Sequence, residues 1–191
     1  MESKFLLLLG PSGVGKTEII KRLRSYDERF VYISPYMTRK LRKGEVDKVP
    51  VSAKELDRLV REKKILVVNT LYRVRYATPK GAIEEAFQVG KFPVLDWPMS
   101  RIGVMEENFP SRLFRVYVET ADVETLRERL SNDDRDPQKL RLNAGIAEFE
   151  QLQRGEFDAH IDFRIVNPQG EIEATAKRIY EQYLQAVGEN P

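Results

Sequence analysis

The stretch Lys4-Phe5-Leu6-Leu7-Leu8-Leu9-Gly10-Pro11-Ser12-Gly13-Val14-Gly15-Lys16-Thr17 decides the fold. Phe5 to Leu9 is a continuous apolar run, which suits a strand covered on both faces, as in a parallel sheet. Three glycines, a lysine and a hydroxyl follow at once, in the Walker A spacing Gly-x-x-x-x-Gly-Lys-Thr. Residues without a Cβ let successive backbone N–H groups curl around an anion. The helix expected to start near Gly15 adds its positive dipole end. Gly10, Ser12, Gly13, Val14 and Gly15 are therefore expected to cradle the phosphates of ATP. Lys16 is expected to bridge the β- and γ-phosphates, and Thr17 to ligate Mg2+. The bland alternative is a glycine turn that merely joins strand to helix. The flanking buried-type strand and amphipathic helix are what the phosphate mechanism requires.

Composition narrows the rest. The chain has 191 residues, enough for one domain with lobes, and 41% hydrophobic residues can build a sizeable core. Charged residues make up 32%, yet the net charge is only +2, so a nucleic-acid partner is not expected. The chain has no cysteine and a single histidine, His160, which excludes disulfides, thiolate chemistry and His-based metal clusters. No apolar run reaches the length of a membrane span, so a cytoplasmic protein without a membrane partner is the expectation. A monomer and a homodimer both remain open.

Strands and helices alternate along the chain. Strands are expected at 4–9, 30–33, 65–69, 72–76, 92–95, 113–118 and 163–166. A helix over 18–25 buries Ile19, Ile20 and Leu23. Ser52 with Glu55 forms a capping box for a helix to about 63 that buries Leu56, Leu59 and Val60. Pro79 at the first helical position begins a helix lined by Ala82, Ile83, Ala86 and Phe87, which Gly90 stops. Val123, Leu126 and Leu130 form one helical stripe, Leu140, Ala144, Ala147 and Leu152 a second, and Ile179, Tyr183 and Val187 a third. The tail from Val187 is expected to fray. Strand–helix alternation implies an α/β, P-loop NTPase fold: a mostly parallel sheet flanked by helices. The expected parts are a core (1–33, 79–126 and 143–187), an inserted acceptor-binding lobe (34–78) and a helical lid (127–142).

Two further features bear on chemistry. Val94-Leu95-Asp96 ends a strand with an acid that either helps Thr17 hold magnesium or caps a turn. Arg39 and Arg42, with lysines at 40 and 43, form a basic cluster. Arginine grips phosphate oxygens with a planar fork, and a solvated basic loop is the alternative. His160 reads as a turn histidine, Trp97 as a core or rim aromatic beside the acceptor, and Arg73 or Arg75 faces either the acceptor or solvent.

The chain resembles the guanylate kinase family of P-loop nucleoside monophosphate kinases over nearly its whole length. The resemblance rests on Gly10 to Thr17, Thr38-Arg39-x-x-Arg42-x-Gly44-Glu45, Tyr76-Ala77-Thr78, Leu95-Asp96, Leu126 to Leu130, Arg141-Leu142 and Ile165-Val166-Asn167. It implies a kinase that moves the γ-phosphoryl of Mg-ATP to a small phosphorylated acceptor. Arg39, Arg42, Tyr76, Thr78 and Asp96 take the acceptor positions. Arg129 and Arg141 match catalytic arginines, with Arg135 beside Asp133 and Asp134 as a third candidate, and Asn167 matches a residue near the adenine.

The resemblance also has departures. The family's three guanine-reading positions hold Pro35, Val67 and Pro98, none of which forms those side-chain hydrogen bonds. A phosphate-contacting tyrosine is missing where Glu45 runs through Pro50 into Ser52. Each lost hydrogen bond costs about 1–3 kcal/mol of recognition, so little preference for guanine is expected. A ribose 1,5-bisphosphate phosphokinase-like enzyme is one alternative. A non-catalytic guanylate-kinase-like binding module is another, disfavoured by the intact phosphate loop.

Overall fold

The computed structural model describes residues 3–42, 45–71, 73–131 and 138–190. Strand β1 (Phe5–Leu9) is fully buried, as its apolar run requires. It pairs in parallel with β7 (Phe92–Asp96) on one side and β8 (Leu113–Glu119) on the other. Outside these lie β2 (Phe30–Tyr32) and β9 (Phe163–Val166), giving a parallel sheet in the order β2-β7-β1-β8-β9. Alternate side chains of β1 enter opposite halves of the core. Leu6 and Leu8 join Ile19 and Leu23 of α1 (Lys16–Tyr26) and Ile179 and Tyr183 of α7 (Ile172–Ala186). Phe5, Leu7 and Leu9 join Ile83 of α3 (Lys80–Gln88) and Ile102 and Met105 of α4 (Ile102–Asn108). The fold class is the α/β, mostly parallel one that the alternation implied.

A second sheet, ordered β4-β3-β6-β5, lies within residues 36–79. Its strands are β3 (Tyr36–Met37), β4 (Val49–Pro50), β5 (Ile65–Leu71) and β6 (Val74–Pro79). The β5–β6 and β3–β6 pairs are antiparallel. Arg75 points to α2 (Ala53–Arg61), where its Nη1 donates to Asp57 Oδ1 at 2.8 Å. Ser52 Oγ accepts from Glu55 N, as the capping signal required. Val60 is nevertheless 42% exposed rather than buried.

Three local expectations are corrected. Pro79 ends β6 and stands at the N-cap of α3, so strand passes to helix without a loop, and Ala82 faces solvent. Helix α6 (Leu140–Gln153) buries Leu152 as expected but otherwise turns a different face inward: Leu142 and Gly145 are buried, whereas Leu140, Ala144 and Ala147 are exposed. Apolar periodicity selected the wrong side because the inner face carries a glycine and a glutamate. A Cβ on Gly145 would sit 3.2 Å from both Leu126 and Pro11, and Glu148 accepts from Tyr117 Oη at 2.9 Å. The chain end is tied down, because Glu189 receives two 2.8 Å hydrogen bonds from Arg29.

The segment read as a lid is bounded by α5 (Val123–Ser131) and α6; residues 132–137, including Asp133, Asp134 and Arg135, lie outside the described residues, as do Gly44 and Tyr72. Gly10 fixes the bend after β1: its φ is +116°, and a Cβ there would meet the Val118 carbonyl oxygen at 2.1 Å. Gly10→Ala is expected to destabilise the protein by about 2–4 kcal/mol, read as a lower urea midpoint.

Candidate active site

The bend continues through Gly13 and Gly15, with φ of +87° and +102°, into the first turn of α1. Only glycine adopts this backbone at little cost. The loop is braced from behind. Asn167 is buried; its Nδ2 donates to Val14 O at 2.8 Å, and its Oδ1 accepts from Thr175 Oγ1 at 3.0 Å. Arg129 Nη2 donates to Asn167 O at 2.9 Å. The structure therefore places Asn167 and Arg129 as supports of the loop, and neither lines the cleft in front of it. Lys16 folds over the loop and donates to Gly10 O and to Pro11 O, the latter at 2.7 Å.

In front of the loop lies a cleft of about 540 Å3. Ser12, Gly13, Gly15, Lys16 and Thr17 form one wall. Arg39, Arg42, Glu45 and Lys48 of the segment after β3 also line the cleft, as does Arg141 of α6. The second sheet contributes Asn69, Leu71, Tyr76 and Thr78, which its register sets on one face. Asp96, Trp97 and Pro98 close it from the C-terminal end of β7, as expected for a ligand site of an open α/β sheet. Trp97 is both core and rim: it is buried, with Nε1 donating to Arg101 O at 2.9 Å.

The charges are arranged by sign. Burial pushes the Lys16 ammonium below its ordinary value, opposed by the carboxylates of Asp96 and Glu148 and reinforced by Arg141. Burial, then the neighbouring Arg39 and Arg141, lower Arg42 in the same direction. Three guanidiniums and an ammonium thus share a field that an entering anion would relieve. Arg39 is held in a fork by Glu45, at 2.6 and 2.7 Å, and its Nε donates to Tyr76 Oη at 3.3 Å. Asp96 is held by Tyr32, whose Oη donates to Oδ1 at 2.8 Å. Glu148 is raised by burial, with Lys16 and the Tyr117 hydrogen bond opposing.

The sequence profile of the guanylate kinase family matches residues 2–182. The chain belongs to the guanylate kinase family. It is similar to the guanylate kinase of Bacillus cereus, with 30% identity covering 87% of this chain and 82% of the relative. It is also similar to that of Bdellovibrio bacteriovorus, with 23% identity over 87% and 90%. The solved guanylate kinase of Anaplasma phagocytophilum superposes with a TM-score of 0.73 at 22% identity, covering 96% of this chain and 86% of that one. Shikimate kinase from Acinetobacter baumannii shares the fold at a TM-score of 0.53. The chain is thus a P-loop kinase, a transferase that binds nucleotide.

Set against the family, the cleft gathers Arg39, Arg42, Tyr76, Thr78, Asp96 and Arg141 with the loop, whereas Val67 packs against the core and Pro35 and Pro98 line the wall. Several groups on the cleft or in contact with its residues escaped the sequence. Glu148 had a signal, seven residues after Arg141 and so on one helix face. Asn69 had one too, a polar residue ending the apolar run from Ile65. Tyr32 had none, because only folding brings it to Asp96, 64 positions away.

Two outcomes are expected. Asn167→Ala leaves the Val14 carbonyl without its buried donor and should lower stability by about 1–3 kcal/mol, read by urea unfolding. The Arg39 fork holds the Glu45 carboxyl down at about 2. A depressed carboxylate contributes stability above its ordinary pKa of 4.5, and that contribution fades as pH falls from there toward 2. Carbon-detected NMR titration should find Glu45 ionised to about pH 2, and Arg39→Ala should return it toward its ordinary value.

Proposed function

We propose that the enzyme transfers the γ-phosphoryl group of Mg-ATP to the phosphate of a nucleoside monophosphate in the cytoplasm. One observation carries this reading: a single cleft is lined by the phosphate loop with Lys16 and Thr17, by the pair Arg39 and Arg42, and by Arg141. Two anion-binding groups on one cleft fit a donor and an acceptor that both carry phosphate. The names of the family and of its relatives make GMP the first acceptor to test.

The loop glycines turn backbone N–H groups toward the donor's phosphates, and Lys16 leaves its carbonyl partners to follow the negative charge. The Arg39 fork, already oriented by Glu45, and Tyr76 take the acceptor phosphate with Arg42. Arg141, beside both Lys16 and Arg42, is placed to neutralise the group in transit. Arg129 and Asn167 act indirectly, by keeping the loop in shape. No covalent enzyme intermediate is required; positioning and charge neutralisation suffice.

The Thr17 hydroxyl and the Asp96 carboxylate, both on the cleft, are hard oxygen donors that suit magnesium. Among the described residues no cluster of three or more acidic or histidine side chains could hold a metal without the nucleotide. That agrees with an ion carried in on phosphates, which would supply charge neutralisation there. Tyr32 keeps the Asp96 carboxylate oriented for it. Among the described residues no helix is long and apolar enough to cross a membrane.

A coupled assay with GMP, dGMP, AMP, UMP and ribose 1,5-bisphosphate tests the reading. Turnover that needs both Mg2+ and an acceptor, and falls by at least about 10³-fold in Lys16→Ala, is expected. No turnover with any of the five would refute it.

A further inference from the structure

Asn69 is 7% exposed, and its side-chain Oδ1 has no hydrogen-bond partner. It lies on the cleft. Buried polar atoms are paired in almost all native proteins, so an orphan calls for a reason. Leaving such an acceptor dry costs about 1–3 kcal/mol. An apolar side chain would avoid that cost, and β5 is otherwise apolar from Ile65 to Val68.

The register says what Asn69 faces. It is the direct cross-strand partner of Tyr76, whose hydroxyl accepts from Arg39, so the amide sits one side chain away from the phosphate clamp. Thr78, two residues on and 3% exposed, shares its sheet face. The walls nearby on the cleft are Pro35, Leu71, Trp97 and Pro98. Flat apolar walls with one amide and one hydroxyl suit an aromatic ring bearing polar edge atoms.

We propose that Asn69 is the base-reading residue of the acceptor subsite, its amide pairing with a nucleobase edge that carries one hydrogen-bond donor beside one acceptor. This rests on the acceptor reading given above. An asparagine amide presents one acceptor oxygen beside an NH2 donor, whereas the two adjacent N–H donors of guanine, at N1 and N2, are matched by the two acceptor oxygens of a carboxylate. The three carboxylates lining this cleft among the described residues are engaged elsewhere: Glu18 with Lys21 and Arg22, Glu45 with Arg39, and Asp96 with Tyr32. The enzyme therefore discriminates nucleobases through the amide and gives guanine no added advantage from its doubled donor edge.

The test is calorimetric binding of GMP, AMP, CMP, UMP and ribose 5-phosphate to the full chain and to Asn69→Ala and Asn69→Asp, with melting curves alongside. Wild type should bind at least one nucleotide about 10-fold tighter than ribose 5-phosphate. Asn69→Ala should lose most of that difference. Its melting temperature should be unchanged or higher, because the substitution removes an unpaired buried atom; a merely structural asparagine would lower it. Asn69→Asp should shift preference toward GMP by about 10-fold. Equal binding of nucleotides and ribose 5-phosphate by wild type, or a nucleotide preference untouched in both variants, would overturn the assignment. A nucleotide that binds through Asn69 yet is never phosphorylated would overturn the kinase reading of the acceptor site instead.

Discussion

A strand with no room beside it meets a bend that only glycine can make, and the rest of the cleft is assembled around that junction. At Gly10 the backbone passes so close to Val118 of β8 that a single methyl group would strike its carbonyl oxygen. At Gly15 a methyl group would strike the Asn167 amide. Each glycine is therefore needed twice, for its left-handed φ and for its missing side chain. The close approach lets Asn167 reach Val14 O and lets Pro11 pack on Gly145 of α6, so the loop is clamped between the sheet and two later helices. A phosphate loop held this way has its N–H groups oriented before any anion arrives, which is where binding and catalysis gain most.

The charged groups follow one logic. Several cations on the cleft have a carboxylate that orients them or moderates their field. Glu45 forks Arg39, and Asp96 and Glu148 lie within the field of Lys16. Each of those carboxylates is itself held, Asp96 by Tyr32 and Glu148 by Tyr117. The Tyr32 hydroxyl is also 3.5 Å from Lys48 Nζ, and Lys48 is 3.9 Å from Glu45. A chain of contacts thus runs from Asp96 at the end of β7 to Arg39 in the segment after β3. Placing groups of alternating sign keeps several cations close together without a net field that would open the cleft.

The second sheet separates two tasks by face. Arg75 is turned to α2 and joined to Asp57, while Asn69, Tyr76 and Thr78 share the face on the cleft. The period of two along β6 makes this division, so a one-residue slip would exchange the phosphate clamp for the helix contact. The direct passage from β6 through Pro79 into α3 joins this sheet to the core with no intervening loop.

Local chemistry made much of this legible. The run Phe5–Leu9, the glycine spacing and the Ser52 cap each carry their cause within a few residues, and each stands in the structure as read. Apolar periodicity failed at α6, whose buried face holds Gly145 and Glu148 for reasons of close packing and a hydrogen bond to Tyr117. It could not show that Arg129 and Asn167 stand behind the loop rather than in front, because that depends on how α5 and β9 dock. Nor could it pair Tyr32 with Asp96, 64 positions away, or leave Asn69 dry on the cleft. Sequence by itself determined the fold and the phosphate loop, since steric limits and hydrophobic pattern act between near neighbours. Only the tertiary structure decided which polar groups meet, since burial and pairing depend on segments that are distant along the chain.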